Sequence, residues 1–195
     1  KKRWTITHKQ GDFVDRQKRR KYNVFIKWNN SSGEEAIAMQ ISLSFFIERE
    51  GNAQDVKLKI KRIGRESCKP DKKDVAWTGS HYSLHFIRGG KGILKIGDDE
   101  TPLKEGMCFV LYKDTPYEYS PDKSHPWKYD WIDFSGENVE LLLSECGFSQ
   151  EKPYRAYRTD KYFLGELNRL YEIHDVRPYN HICVAAQFFK LLSEL

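Results

Sequence analysis

The sequence contains no apolar run close to the roughly 20 residues that a membrane-spanning helix needs. Its first residues, Lys1 to Trp4, lead into polar sequence without the apolar region of a signal peptide. We therefore expect a cytoplasmic protein without a membrane partner. The 195 residues suit one domain, or one domain with an appendage, and are enough to bury a core without metal or disulfide support.

Cysteine is scarce and widely spaced. The four cysteines, Cys68, Cys108, Cys146 and Cys183, form no Cys-x-x-Cys pair, which argues against a zinc site. In a cytoplasmic protein they would stay reduced. We interpret them as small core side chains, with a disulfide as the less favoured alternative.

Signs of catalysis are also absent from the sequence. It has no Gly-x-Ser-x-Gly motif and no phosphate-cradling loop. His81 and His85 are four residues apart, but on a strand this spacing only places them on one face, and no third ligand accompanies them. Asp130 and Asp133 would point to opposite faces of a strand. We therefore predict no catalytic residue, no metal and no cofactor.

Positive charge is concentrated at the amino end, where basic residues crowd positions 1–3 and 16–21 of a chain with a formal charge of +5. Such a run can contact phosphate groups. A solvated tail is the favoured interpretation, because no motif that reads a nucleic-acid groove accompanies the run.

Alternating apolar residues predict strands over 22–28, 39–45 and 56–60. Before the second of these, Ser32 and Glu35 could instead form a capping box that opens a helix. From Tyr82 to Phe134, short strands alternate with turns rich in Gly and Pro, which is typical of a sandwich, a jelly roll or a barrel.

Helical periodicity replaces the strand pattern after position 135. Ser135 can cap a helix that ends at Gly147, and Asp160 can cap a second helix. A third apolar stripe follows Pro178. This stripe stops at Leu195 without a cap, so we expect the chain to be a fragment of a longer protein.

Tyrosine and tryptophan share one predicted strand face. On the strand 127–134, Trp127, Tyr129 and Trp131 lie on the same side because side chains alternate, and Tyr117 and Tyr119 share a side of the preceding strand. Flat apolar rings with polar tips suit the C–H face and hydroxyl rim of a sugar. The alternative is an aromatic core whose hydroxyl groups bond to the backbone.

Five motifs follow one another between Ile63 and Phe148. They are Gly64-Arg-Glu-Ser-Cys68-x-Pro70, Tyr82-Ser-Leu-His85-Phe-Ile-Arg-Gly-Gly90-Lys-Gly92, Leu103-x-x-Gly106-x-x-Phe109, Pro116-Tyr-x-Tyr119 and Pro126-Trp-x-Tyr-x-Trp-Ile-x-Phe134-x-Gly136. In order and spacing they resemble the amino-terminal domain of AraC-family transcriptional regulators, and the later helices agree in outline.

The resemblance implies a mainly β fold with C-terminal helices, in which a cupin-type (double-stranded β-helix, jelly-roll) barrel is followed by helices that pair two subunits. It divides the chain into an arm or extension, partly β, over 1–60, a ligand-binding barrel over 61–136 and a helical dimerisation segment over 137–195. A helix-turn-helix domain outside this chain would bind DNA. The chain would thus be the effector-sensing domain of a homodimeric bacterial regulator, binding a sugar or related metabolite.

Candidate residues follow from matched positions. Tyr119, Tyr129 and Trp131 fall where the arabinose-binding member of the family contacts its sugar, and Trp77 takes the place of that member's arginine. The ligand-binding residues implied are Trp77, His85, Tyr117, Tyr119, Tyr129 and Trp131. The dimerisation residues implied are Phe163, Leu167, Leu170, Tyr171 and Phe188, for which packing against the barrel is the alternative.

Two functions of other classes remain open. A metal-dependent cupin enzyme, such as an isomerase or dioxygenase, is disfavoured because Tyr117 stands where catalytic cupins place a histidine. A protein- or nucleic-acid-binding β-domain would use the basic amino end, and would bind DNA with a steep dependence on salt.

Overall fold

The computed structural model of the protein describes residues 13–15, 20–22, 24–28, 41–49, 52–173 and 180–195, with side chains over 56–173 and 183–195. The possible capping box of Ser32 and Glu35 and most of the basic amino end lie outside the described residues. The strand alternative to that helix is confirmed from Ile41 onward, where β4 begins.

Strands make up most of the described chain. They are β1 (Phe13–Asp15), β2 (Arg20–Tyr22), β3 (Val24–Trp28), β4 (Ile41–Arg49), β5 (Asn52–Ser67), β6 (Val75–Trp77), β7 (Tyr82–Gly89), β8 (Lys91–Ile96), β9 (Asp99–Lys104), β10 (Met107–Leu111), β11 (Tyr117–Pro121), β12 (Lys128–Ser135) and β13 (Tyr154–Ala156). The helices are α1 (Val139–Glu145), α2 (Lys161–Ile173) and α3 (Asn180–Ser193).

The strands form two main sheets with antiparallel pairing throughout. The larger sheet has the order β13-β10-β7-β12-β5-β4-β3, and the smaller has the order β6-β11-β8-β9. β1 and β2 pair separately. The predicted fold class, mainly antiparallel β with C-terminal helices, is confirmed.

The central strands β7 and β12 of the larger sheet bury residues on both of their faces. On β12, Ile132 and Phe134 lie on the side that the helices cover, and Phe134 contacts Phe188 of α3 with ring centroids 5.1 Å apart. Tyr129 and Asp133 point to the other side, toward the smaller sheet, because side chains alternate along a strand. One strand therefore contributes both to the helix-packed core and to the space between the sheets.

A β-bulge on β5 sets which of its residues enter that space. Phe134 pairs with Ile60, but Asp133 pairs with Arg62, so Lys61 is an extra residue opposite β12. Before the bulge, Val56 and Leu58 of β5 are buried core residues. After it, the residues on the inner side are Arg62, Gly64 and Glu66, which pair with Asp133, Trp131 and Tyr129.

The helix ends agree only partly with the sequence prediction. The cap at Ser135 is wrong: Ser135 pairs with Lys59 as the last residue of β12, and α1 begins after Asn138. Gly147 does end α1 in a left-handed conformation at φ 80°, and Phe148 N donates to Leu143 O at 3.0 Å. The cap of α2 is confirmed, since Asp160 Oδ1 accepts a hydrogen bond from Phe163 N at 2.9 Å.

Most residues predicted for dimerisation lie in the protomer's own core. Phe163, Leu167, Leu170 and Phe188 are buried, and Phe163 packs on Phe86 of β7 with ring centroids 5.8 Å apart. Tyr171 is half-buried beneath the Arg65 guanidinium, 4.4 Å from its ring centroid. These side chains stabilise the single protomer, so a pairing surface would have to use their neighbours; the dimer itself stays a prediction.

The predicted segment boundaries differ from the strand layout. β5 runs unbroken across position 60, so the predicted arm and barrel share a strand of one sheet. β13 returns to the larger sheet from within the segment predicted as helical and pairs with β10. Three cysteines are buried as expected, but Cys183 is exposed, so its interpretation as a core residue is wrong.

Candidate functional site

An aromatic cluster fills one part of the space between the two sheets. His85 of β7 stacks on Phe109 of β10 with centroids 4.5 Å apart, and its ring meets Tyr129 of β12 edge-on at 5.1 Å. From the smaller sheet, Tyr119 of β11 approaches His85 to 5.7 Å. Trp127 closes the cluster against Phe109, at 5.8 Å. The cluster therefore contains three predicted ligand residues from three strands.

A second aromatic group lies at the β6 edge of the smaller sheet. Tyr117 and Trp77 are cross-strand partners, with centroids 6.2 Å apart. His81, just before β7, meets the Trp77 ring edge-on at 5.7 Å. Tyr117 is buried, whereas Trp77 is half-buried. Trp77 and Tyr117, the other predicted ligand residues of the smaller sheet, thus contact the start of β7 in the larger sheet through His81.

Trp131 stands apart from both groups. Its half-buried indole lies flat over Gly64 of β5, where a Cβ atom would overlap it. The Arg62 guanidinium carbon lies over the ring, 5.6 Å from its centroid. Among the described residues, no other aromatic ring contacts Trp131. The half-buried indole therefore keeps an exposed part that a flat apolar partner could contact.

Asp133 is the centre of a buried polar cluster next to Trp131. Its carboxylate accepts hydrogen bonds from Arg62 Nε at 2.9 Å and from Ser83 Oγ at 2.7 Å. Arg62 Nη2 lies 2.7 Å from Oδ2 of the same carboxylate, and His81 Nε2 lies 3.2 Å from it. The carboxylate is compensated by a charge and by hydrogen bonds, as a buried charge must be.

A second ion pair lies on the other side of Trp131. Tyr129 Oη donates to Glu66 Oε2 at 2.8 Å, and Lys72 forms an ion pair with the same carboxylate. Burial alone would raise the Glu66 pKa, but hydrogen bonds from Lys72 and Tyr129 outweigh it and hold that pKa below its usual value. Glu66 is therefore ionised at neutral pH.

Burial shifts the pKa of the site's neutral groups. It lowers the pKa of His85 to about 4, so the imidazole is uncharged at neutral pH. It also raises the pKa of Tyr119 to about 12 and raises that of Tyr129 further, so both phenols stay protonated. These side chains can donate and accept hydrogen bonds without carrying charge.

Four buried polar atoms in the interior lack a hydrogen-bond partner among the described residues: His81 Nε2, His85 Nδ1, Tyr117 Oη and Trp127 Nε1. His81 Nε2 lies 3.2 Å from Asp133 Oδ2, the Ser83 backbone lies near His85, and the Tyr112 backbone lies near Tyr117. None of these three contacts has the geometry of a hydrogen bond. Buried polar groups are normally paired, by protein, water or ligand. Several such atoms between the same two sheets make this space suited to a polar ligand.

Sequence reasoning missed the polar half of the site. The six predicted residues all lie at the inner faces of the sheets, yet Arg62, Glu66, Lys72, His81 and Ser83 were not predicted, and Asp133 was noted only for its strand face. The alternation of Val56, Leu58 and Ile60 would place Arg62 on the inner side only if the bulge at Lys61 were known.

Over the part of the chain that the structure describes, no three His, Cys, Asp or Glu side chains are grouped so that they could hold a metal ion. Within the same residues, no helix has both the length and the apolar character to span a membrane.

Comparison with solved structures gives low similarity. A cupin protein from Bacteroides fragilis aligns with a TM-score of 0.33 at 15% identity, covering 57% of this chain and 89% of that one. The Clostridium difficile EutQ protein aligns with a TM-score of 0.31 at 9% identity, covering 61% of this chain and 67% of that one. Both TM-scores lie below 0.5, so these neighbours add nothing about function.

Comparison with curated proteins identifies regulators. The raffinose operon transcriptional regulatory protein RafR of Pediococcus pentosaceus is 31% identical over 141 residues, which cover 68% of this chain and 50% of that protein. The Msm operon regulatory protein of Streptococcus mutans is 27% identical over 150 residues, covering 76% of this chain and 54% of that protein. A shorter match, 63 residues at 32% identity, covers 32% of this chain and 23% of a lactose operon transcription activator of Staphylococcus xylosus.

The chain spans about half the length of the two curated relatives that it matches over most of its length. The family model described as the AraC-like ligand binding domain matches residues 63–192, which include the site residues other than Arg62 and the three helices up to the last residue of α3. The aromatic interior, the C-terminal helices and this match agree, and the chain belongs to the family of AraC-like ligand binding domains.

Proposed function

We propose that this domain binds a sugar between its two sheets and that the protein containing it regulates transcription in response. The observation that carries the proposal is the set of unpaired buried polar atoms inside an aromatic interior. A sugar offers hydroxyl groups to those atoms and C–H faces to the rings. The relatives named for raffinose and lactose operons support the choice of ligand class.

A thermal-shift screen tests the proposal. A ligand that binds only the folded protein raises its Tm, so we expect at least one member of a panel of raffinose, lactose, galactose and glucose to do so. Trp131→Ala should reduce the shift by removing the half-buried ring, and Tyr129→Phe should weaken it by removing a hydroxyl group. Tyr162→Ala serves as the matched control, because Tyr162 is 47% exposed on α2, away from the interior.

Two outcomes would count against this function. If no member of the panel changes the Tm, sugar sensing in the barrel is wrong. If Trp131→Ala and Tyr129→Phe both retain the full shift, the aromatic wall is only core.

We further propose that two subunits pair through the helical segment and that DNA is bound only by a domain outside this chain. The regulators that this chain resembles, and the match over only half of their length, support this arrangement. Sedimentation at micromolar concentration should show a dimer, and the chain alone should bind no DNA. A monomer at all concentrations, or DNA binding with steep salt dependence, would contradict it.

A further inference from the structure

Two ion pairs flank the Trp131 indole. Along the β5–β12 pairing, Trp131 lies opposite Gly64. On one side of it, Asp133 lies opposite Arg62, its ion-pair partner. On the other side, Tyr129 lies opposite Glu66, whose ion-pair partner is Lys72. Arg62, Gly64 and Glu66 follow one another at every second position of β5, so they share its inner side. A ring that stacked on Trp131 would thus lie between the strand positions of these two pairs.

Both carboxylates can still accept hydrogen bonds. An ionised carboxylate has about four acceptor positions. In Asp133, Oδ2 is contacted by Arg62 and His81, whereas Oδ1 receives the bond from Ser83. In Glu66, Oε1 receives the bond from Lys72 and Oε2 the bond from Tyr129. Ser83 of β7 lies opposite Asp133, and His85 is the next residue of β7 on the same side. The buried His85 has no hydrogen-bond partner for its Nδ1 atom among the described residues. The site therefore offers hydrogen-bond acceptors and a neutral histidine to the hydroxyl groups of a sugar.

The charges of this site are already balanced. Asp133 is ion-paired with Arg62, and Glu66 with Lys72. The Arg62 side chain is mostly exposed, but it balances the buried Asp133 carboxylate. An anionic ligand that drew Arg62 away would leave this carboxylate without its ion-pair partner, which is unfavourable. Because the two carboxylates offset the two cations, the site offers such a ligand no net positive charge.

We propose that the Arg62–Asp133 and Glu66–Lys72 ion pairs determine specificity, binding the hydroxyl rim of an uncharged sugar and excluding its carboxylate and phosphate derivatives. The inference rests on the proposed function, because it concerns the same interior. It adds four residues with a stated role and a chemical class for the ligand: a free sugar rather than a sugar acid or a sugar phosphate.

Calorimetric titration with a matched set of ligands tests this. The set is galactose, galacturonic acid and galactose 6-phosphate, together with raffinose and lactose. We expect one or more of the neutral sugars to bind, and the acid and the phosphate to bind at least about tenfold more weakly than galactose or not at all.

Two substitutions make the test specific. Asp133→Asn should weaken binding of the neutral sugar about tenfold or more. It should also reduce the ratio of the affinity for the neutral sugar to that for galacturonic acid, because Arg62 becomes available to an anion. Glu66→Gln, at a less buried position, should do the same through Lys72 and remains informative if Asp133→Asn does not fold. Glu118→Gln is the control, because Glu118 is exposed on the outer side of β11.

The possible failures are distinguishable. Equal or tighter binding of the acid or the phosphate would overturn the inference while leaving sugar sensing in place. A dissociation constant that stays within twofold in both folded variants would also overturn it. No binding by any neutral or anionic member would contradict the proposed function and the inference together.

Discussion

At the scale of single residues, three tryptophans of the interior lie against glycines. A Cβ atom at Gly64 would overlap Trp131, one at Gly79 would overlap Trp77, and one at Gly92 would overlap Trp127. In each case the missing side chain leaves the space that the indole occupies. Each ring can therefore take its position only because the neighbouring residue is a glycine.

Gly64→Ala should consequently weaken effector binding by displacing the Trp131 ring. Trp131 is half-buried and can move, so we expect about a tenfold loss of affinity, within the range of one lost aromatic contact, and a fold that survives. Calorimetry gives the affinity, and tryptophan fluorescence reports the displaced ring. Gly89→Ala is the control, since a Cβ there meets no atom within 4 Å. Unchanged affinity in Gly64→Ala would show that the Trp131 position does not matter.

His85 should make stability depend on pH between about 4 and 6.5. Burial lowers its pKa to about 4 from 6.5, so the unfolded state binds a proton in this range and the folded state does not. The stabilisation is complete above pH 6.5 and is lost as pH falls toward 4, by on the order of 3 kcal/mol.

Denaturant unfolding at several pH values measures this effect. His85→Gln should flatten the dependence between pH 6.5 and 4.5. His125→Gln should not, because the His125 side chain is 76% exposed in a loop. Carboxylates with lowered pKa, such as Glu66, lose their contribution only at lower pH, below about 4.5. An identical slope in His85→Gln would contradict the buried, neutral histidine.

At the scale of elements, β12 serves two surfaces. Tyr129, Trp131 and Asp133 line the interior, while Asp130 on its other side accepts hydrogen bonds from Arg65 at 2.6 and 3.0 Å. Arg65 in turn donates to Asn168 of α2 at 2.8 Å. The strand that carries Tyr129 and Trp131 is thus linked to α2 by hydrogen bonds from its other face, at Asp130.

The cap of α2 is a second local feature with a measurable effect. Asp160→Ala should lower the Tm by about 2–4 °C by removing the acceptor for Phe163 N, whereas Asp160→Asn should retain most of the stability. Thermal unfolding followed by circular dichroism measures both. Equal loss in Ala and Asn would indicate that the ion pair of Asp160 with Arg158, rather than the cap, is responsible.

Sequence reasoning succeeded where the signal is local. The alternation in 127–134 predicts a strand, and Asp160 and Gly147 are helix signals that act within a few residues. It failed where pairing decides. Ser135 looks like a helix cap but pairs with Lys59 of β5 as the last residue of β12. The six aromatic and histidine candidates followed from shared strand faces and from positions matched to the AraC family, whereas the ion pairs depend on a bulge that no local pattern reveals.

At the scale of the whole molecule, the C-terminal helices are part of the folded unit. Phe188 is fully buried against Phe134, so Phe188→Ala should cost about 3–5 kcal/mol of unfolding free energy. Denaturant unfolding of this variant should show the loss at every protein concentration, because the contact lies within one protomer. A loss that appears only at high concentration would assign Phe188 to a subunit interface instead.

The central claim is that the effector lies between the two sheets, against the ring of Trp131. The most direct test is a crystal structure of the chain with the sugar that raises its Tm most in the panel. We predict the ring stacked on Trp131, with hydroxyl groups within hydrogen-bond distance of Asp133 or Glu66. A sugar bound on the outer side of α2 and α3, with the interior unchanged, would contradict the account.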